Sequence, residues 1–149
     1  IIYIYGGIYV DADIKPLVPL RDFINEKDDF VTCISNVHKP FRKTHLLNPH
    51  FIATYRGNPV LKKCIERYVE LYNHNRRYKY WKWSIVRMLQ LDFVILEKKD
   101  QILTHEGERY KFILELPSMN DCKYGNKILF HNRYDFYKDH NFLDENNKK

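Results

Sequence analysis

Apolar residues crowd the start of the chain as Ile1-Ile2-Tyr3-Ile4-Tyr5 and stop at Gly6-Gly7. Glycine tolerates the left-handed position after a helix, so the pair fits a helix end. It also fits a tight turn between strands. Ile8-Tyr9-Val10 reads as a short strand. Asp11-Ala12-Asp13 ends it, because Asp is poor in strands and good in turns. Residues 14–18 resume an extended path, and Pro16 keeps that path out of a central ladder. Residues 30–35, Phe-Val-Thr-Cys-Ile-Ser, have the character of a buried strand. A loop rich in His, Pro and Lys is expected over 36–48, and another short strand over 51–54.

Asn58-Pro59 is a strong helix start, with Asn as cap and Pro at the first helical position. Val60, Leu61, Cys64, Ile65, Tyr68, Val69 and Tyr72 then recur at helical spacing, opposite Lys62, Lys63, Glu66, Arg67 and Glu70. A second helix is expected over about 81–91, with Trp81, Ile85, Met88 and Leu89 inward. Farther on, strand-like runs cover 110–116 and 127–131. Tyr124-Gly125-Asn126 sets up the turn before the latter. Strands interleaved with helices predict an α/β or α+β domain.

Composition narrows the class. The chain has 149 residues, of which 44% are hydrophobic and 30% charged, which excludes a disordered tail. A chain of this length buries roughly two thirds of its unfolded surface and needs no disulfide to fold. The apolar, uncharged stretch at residues 1–10 is too short to span a bilayer. Its β-branched and aromatic residues look like the interior of a fold, so the chain is expected to begin in mid-domain. Cys33, Cys64 and Cys122 form no CxxC pair, and are expected to be reduced, mostly buried thiols.

The net charge of +6 opens a nucleic-acid reading. Cations and aromatics interleave at Arg76-Arg77-Tyr78-Lys79-Tyr80-Trp81-Lys82-Trp83, as in surfaces that stack single-stranded bases or hold anionic glycans. A solvated loop anchored by its aromatics explains the same residues, as does a basic wall beside a phosphorylated substrate.

Asp11-Ala12-Asp13 carries the sharpest chemistry. Two carboxylates ~4 Å apart repel by about 4 kcal/mol at an effective dielectric near 20. Solvation relieves that repulsion, and so does a cation held between them. Hard oxygen ligands on a short loop suit Mg²⁺ or Mn²⁺.

The stretch Tyr5-Gly6-Gly7-Ile8-Tyr9-Val10-Asp11-Ala12-Asp13-Ile14-Lys15-Pro16-Leu17 closely resembles the signature of the DXD-containing sugar transferases of glycosyltransferase family 32. There an apolar helix ends at Tyr-Gly-Gly, and a short strand leads into the Asp-x-Asp and a Pro-containing exit. The likeness continues more loosely through Asn48-Pro49-His50-Phe51-Ile52-Ala53-Thr54 and Gly57-Asn58-Pro59. Lys82-Trp83-Ser84 departs from the family's Thr-Gly-Pro-like helix entry.

The resemblance implies an α/β, GT-A type fold. Residues 1–143 would be the C-terminal part of one glycosyltransferase domain, 144–149 a polar tail, and the upstream nucleotide-binding half would be largely missing. It implies a metal-dependent transferase moving a hexose from a nucleotide-sugar donor to a glycan or lipid acceptor, with retention. The cofactor would be Mn²⁺ or Mg²⁺, and no nucleic-acid partner is expected. Any membrane contact would come through the upstream part, and the fragment alone could be inactive.

Asp13 is the first choice as direct metal ligand. Asp11 would reach the metal through water, or the donor ribose. His131 is the third candidate metal contact, with Asn132 as the alternative at that place. Tyr9 and Asn48 complete the donor-binding set, and Lys15 and Arg87 could offset phosphate charge. No catalytic base is assigned. His50, beside Pro49, is expected at the surface.

Overall fold

The computed structural model describes residues 1–34, 47–74, 85, 89, 99–116 and 121–132. An eight-stranded sheet dominates. Its strands are β1 (Gly7–Val10), β2 (Ile14–Pro16), β3 (Phe30–Ile34), β4 (Leu47–Thr54), β5 (Gln101–His105), β6 (Glu108–Glu115), β7 (Asp121–Tyr124) and β8 (Lys127–Asn132). The order is β1-β4-β3-β6-β7-β8-β2, with β5 also paired to β6. β3 and β6 run parallel, and the other pairs are antiparallel. Among the described residues helices are few: α1 (Ile2–Tyr5), α2 (Pro59–Asn73), a 3-10 turn at Leu20–Asp22, and the helical residues Ile85 and Leu89. The chain is thus a mixed α/β, strand-rich domain.

The link between β1 and β2 dictates the curvature of the sheet. These are the two end strands of the pairing path, yet only residues 11–13 join them. Laid flat, six strand spacings would separate them by roughly 29 Å. The Ile14 amide donates to the Asp11 carbonyl at 3.2 Å, closing a β-turn whose ends lie within about 7 Å. The sheet therefore curls until its first and last strands nearly meet, and the Asp-x-Asp turn sits on the seam. Nearby, the Leu17 amide donates to the Leu129 carbonyl at 2.9 Å and extends β2 along β8.

Both faces of the central strands are buried, which is why residues 30–34 read as a continuous apolar run. Alternation splits them. Phe30 and Ile34 on β3, Ile52 on β4, and Tyr110 and Phe112 on β6 pack with Val60, Leu61 and Cys64 of α2 and with Leu89. Val31, Cys33, Phe51, Ala53, Ile113, Cys122, Leu129 and Phe130 fill the inside of the curl. Phe23 closes it, edge-on to Phe130 at 5.3 Å and tilted on Phe51 at 5.8 Å.

Two boundaries differ from the sequence expectation. β4 starts at Leu47, inside the expected 36–48 loop. Opposite it, the β3 register jumps from Thr32↔Ile52 to Cys33↔Asn48. Residues 49–51 thus bulge out of that ladder, and no β3 hydrogen bond is asked of Pro49. On α2, Val60, Leu61 and Cys64 are buried, and Tyr68 and Leu71 pack against the core. Ile65, Val69 and Tyr72, expected inward, are 45%, 53% and 77% exposed. The helix docks along 61, 64, 68 and 71, which turns 65, 69 and 72 to its flank. Apart from Ile85 and Leu89, the expected 81–91 helix lies outside the described residues, as do residues 35–46 and the tail.

Gly6 and Asn58 position the start of the chain. Gly6 has φ +70°, and a Cβ there would meet the Arg56 amide nitrogen at 2.7 Å, so α1 must end in glycine to cross β4 this closely. Asn58 caps α2 as expected, its Oδ1 accepting from the Val60 amide at 2.9 Å. Its Nδ2 also donates to the Asp29 carbonyl at 3.2 Å, and the residue is wholly buried. Asn58→Ala should cost about 2 kcal/mol, the top of the capping range. A thermal melt should show the midpoint fall by roughly 4–8 °C. An unchanged midpoint would refute the capping account.

Candidate functional site

Two polar centres lie near the seam: the Asp-x-Asp turn on the rim, and a cysteine–histidine cluster inside.

The turn is held from both sides. The Asp11 amide donates to the His50 carbonyl at 2.8 Å, one step beyond the β1–β4 ladder. Asp11 and Asp13 are each half-buried. The Tyr9 hydroxyl donates to Asp11 Oδ1 at 2.5 Å. Tyr9 is therefore tied to the motif, and the residue is 46% exposed.

His131 approaches from β8. It pairs in register with Lys15 on β2, two residues beyond Asp13. Its Nδ1 lies 2.8 Å from Asp121 Oδ1. If that nitrogen carries the proton, Nε2 is the lone pair left for a ligand, a carboxylate–histidine arrangement common behind metal-binding histidines. Asn132 pairs with Ile14. Lys15 is exposed on the same strand edge.

Asp11 and Asp13 fit a hard dication that keeps several waters and takes further oxygens from a phosphate. His131 does not complete a closed cage. Among the described residues, Asp11, Asp13 and His131 do not bring three ligand atoms within 4.8 Å of one another. Asn48 turns inward: its Nδ2 reaches Glu115 Oε1 at 3.5 Å, and its Oδ1 accepts from the His50 amide at 3.3 Å. Arg87 and residues 76–83 lie outside the described residues.

The interior cluster was not anticipated. Cys33 on β3, His50 on β4 and Cys122 on β7 are all buried, with one ligand atom of each inside a mutual 4.8 Å. Cys122 Sγ lies 3.4 Å from His50 Nε2. His50 is only 6% exposed, which corrects its expected surface position. The bulge at residues 49–51 is the cause. In a regular strand, His50 would share the face of Ile52, whereas here it points in with Cys33 and Cys122.

The three side chains perturb one another. Burial, then the neighbouring Cys122 and Glu115, push the Cys33 thiol well up. The Cys33 hydrogen bond is the main influence lowering Cys122; with the His50 bond it outweighs burial and brings this thiol down to about 6. Burial pulls His50 down, but Cys122, Glu115 and Asp11 raise it more. Glu115, 1% exposed, acts on all three.

No protein-family model, curated protein or solved structure matches the chain. No described helix is long and apolar enough to cross a membrane.

Proposed function

We propose that the chain carries the donor-diphosphate end of a metal-dependent glycosyltransferase of the GT-A type, which transfers a hexose from a nucleotide-sugar to a glycan or lipid acceptor with retention. One observation carries this reading. Asp11 and Asp13 stand together on a tight turn at the seam of a nearly closed sheet, with a tyrosine hydroxyl on the first of them. An exposed surface loop would solvate both acids. Here both are half-buried on a hydrogen-bonded turn, which sets two hard oxygen ligands side by side as a dication site requires.

Asp13, and Asp11 directly or through water, would hold Mn²⁺ or Mg²⁺. A dication held by these carboxylates would supply positive charge to the departing diphosphate. Tyr9 fixes the Asp11 carboxylate and offers its ring to the nucleotide. Lys15 lines the same edge with positive charge, and His131 stands by on β8. Asn48 joins the donor set through the resemblance to the family signature alone.

Calorimetric titration of UDP or GDP into the full-length protein tests the reading. Binding is expected with Mn²⁺ and is lost at least tenfold with a chelator. Equal affinity with and without the metal overturns it, as does no binding of either nucleotide in Mn²⁺.

A further inference from the structure

We propose that Cys33, His50 and Cys122 form a buried site for a thiophilic cation, with Zn²⁺ the best match, separate from the Asp-x-Asp turn. The cluster sits inside the curl, on strands that meet only through the tertiary fold.

The backbone is shaped to bring these three side chains together. The β3–β4 register breaks between Thr32 and Cys33, and His50 lies in the opposite bulge. The β7–β8 register breaks between Cys122 and Lys123, leaving Leu129 as the extra residue. Each candidate ligand therefore sits at a ladder irregularity, and bulges are a means of re-aiming a side chain. Two separate breaks converging on one spot are unnecessary if the three residues only fill a core.

The spacing and chemistry agree with zinc. Around tetrahedral Zn²⁺, with Zn–S of about 2.3 Å and Zn–N of about 2.0–2.1 Å, ligand atoms stand roughly 3.5–3.8 Å apart. The Cys122–His50 contact of 3.4 Å is close to that, and the mutual limit of 4.8 Å needs only a small contraction. Two thiolates and a neutral imidazole would balance a dication inside a buried space. Glu115, buried on the same side of β6 as Ile113, lies close enough to act electrostatically on all three residues but is not one of the clustered ligands. Sulfur ligands select against Mn²⁺ and Mg²⁺, so the two centres would sort metals by softness. The site lies one hydrogen bond from the motif, since the His50 carbonyl accepts from the Asp11 amide.

Metal analysis of full-length protein purified from zinc-supplemented culture should give about one zinc per chain beyond any removed by brief chelation. Titrating zinc-free, reduced protein with Co²⁺ alone should produce near-ultraviolet thiolate-to-cobalt charge transfer and visible bands of tetrahedral intensity. Both signals should vanish in Cys33→Ser and Cys122→Ser and persist in Cys64→Ser, whose thiol lies in the other core cluster. If the first two variants fail to fold, the wild-type and Cys64→Ser cobalt spectra still decide. Wild-type protein with neither bound zinc nor charge-transfer bands overturns the proposal. So does reduced protein that binds no metal yet loses two hydrogens on mild oxidation, which would make Cys33 and Cys122 a disulfide-forming pair.

Discussion

Asp13→Ala should lower turnover of the nucleotide-sugar donor by about 10²–10³, the loss seen when one preorganised charge-stabilising contact is removed from an active site. The substitution removes one of only two carboxylates that the turn supplies. The turn itself supplies no third carboxylate, and Asp11 Oδ1 also accepts from the Tyr9 hydroxyl. Asp11→Asn should be the milder change. It keeps an acceptor for Tyr9 and leaves the backbone bond from residue 11 to the His50 carbonyl intact. Neither variant touches the core, so both should melt within a few degrees of wild type. The measurement is nucleoside diphosphate release from the donor across a Mn²⁺ series. The Asp13 variant should need far more metal for any residual rate. Unchanged turnover and unchanged metal dependence in folded Asp13→Ala would remove the Asp-x-Asp from the chemistry.

The residues of that turn were legible because their signals are local. Gly6 after an apolar run, a β-branched strand, and two acids before a proline-containing strand specify α1, β1, the turn and β2 within a short window. Asn58-Pro59 announced α2 in the same way. The Cys33–His50–Cys122 cluster was illegible for the opposite reason. Its members stand on three strands, and Cys122 lies 72 positions from His50. The bulge that turns His50 inward cannot be read before the β3–β4 register is known. The one available hint was Pro49, which a regular inner strand would not accept and a bulge does. The hairpin from β5 to β6 had its signal in Glu106-Gly107, where both residues adopt positive φ, but β5 itself is a half-exposed strand with weak patterning. The flank of α2 misled because Ile65, Val69 and Tyr72 share a helical period with the truly buried positions, and periodicity alone cannot choose between adjacent stripes.

Asp28→Asn should be the most destabilising single substitution in the described fold. Asp28 has no exposed side-chain surface, and Lys111 keeps only 7%. Lys111 Nζ lies 2.5 Å from Asp28 Oδ2 and donates to the Phe23 carbonyl at 2.6 Å. Arg109 Nε donates to Asp28 Oδ1 at 3.0 Å, and the Asn25 amide donates to Oδ2 at 2.9 Å. Neutralising Asp28 strands the Lys111 ammonium inside the curl with a carbonyl and the Tyr124 ring, 5.2 Å away, as its compensation. Breaking a buried pair in this way costs about 3–5 kcal/mol. For a chain of this size the melting midpoint should drop by roughly 6–20 °C. Asp28→Asn combined with Lys111→Met should recover much of the loss, because the double change removes the unpaired charge. The same pair sets an acid limit. Burial pulls the Asp28 carboxyl up, but the Lys111, Asn25 and Arg109 hydrogen bonds outweigh it and hold the group below its ordinary value. A carboxyl depressed in the folded state contributes stability above its unfolded pKa, ~3.9, and loses it as pH falls through the folded value. Wild type should therefore lose stability steeply below about pH 4, and Asp28→Asn should show a shallower acid slope from its lower starting point. A double variant no more stable than Asp28→Asn, or an acid slope unchanged by the single substitution, would show that this pair does not hold the curl together.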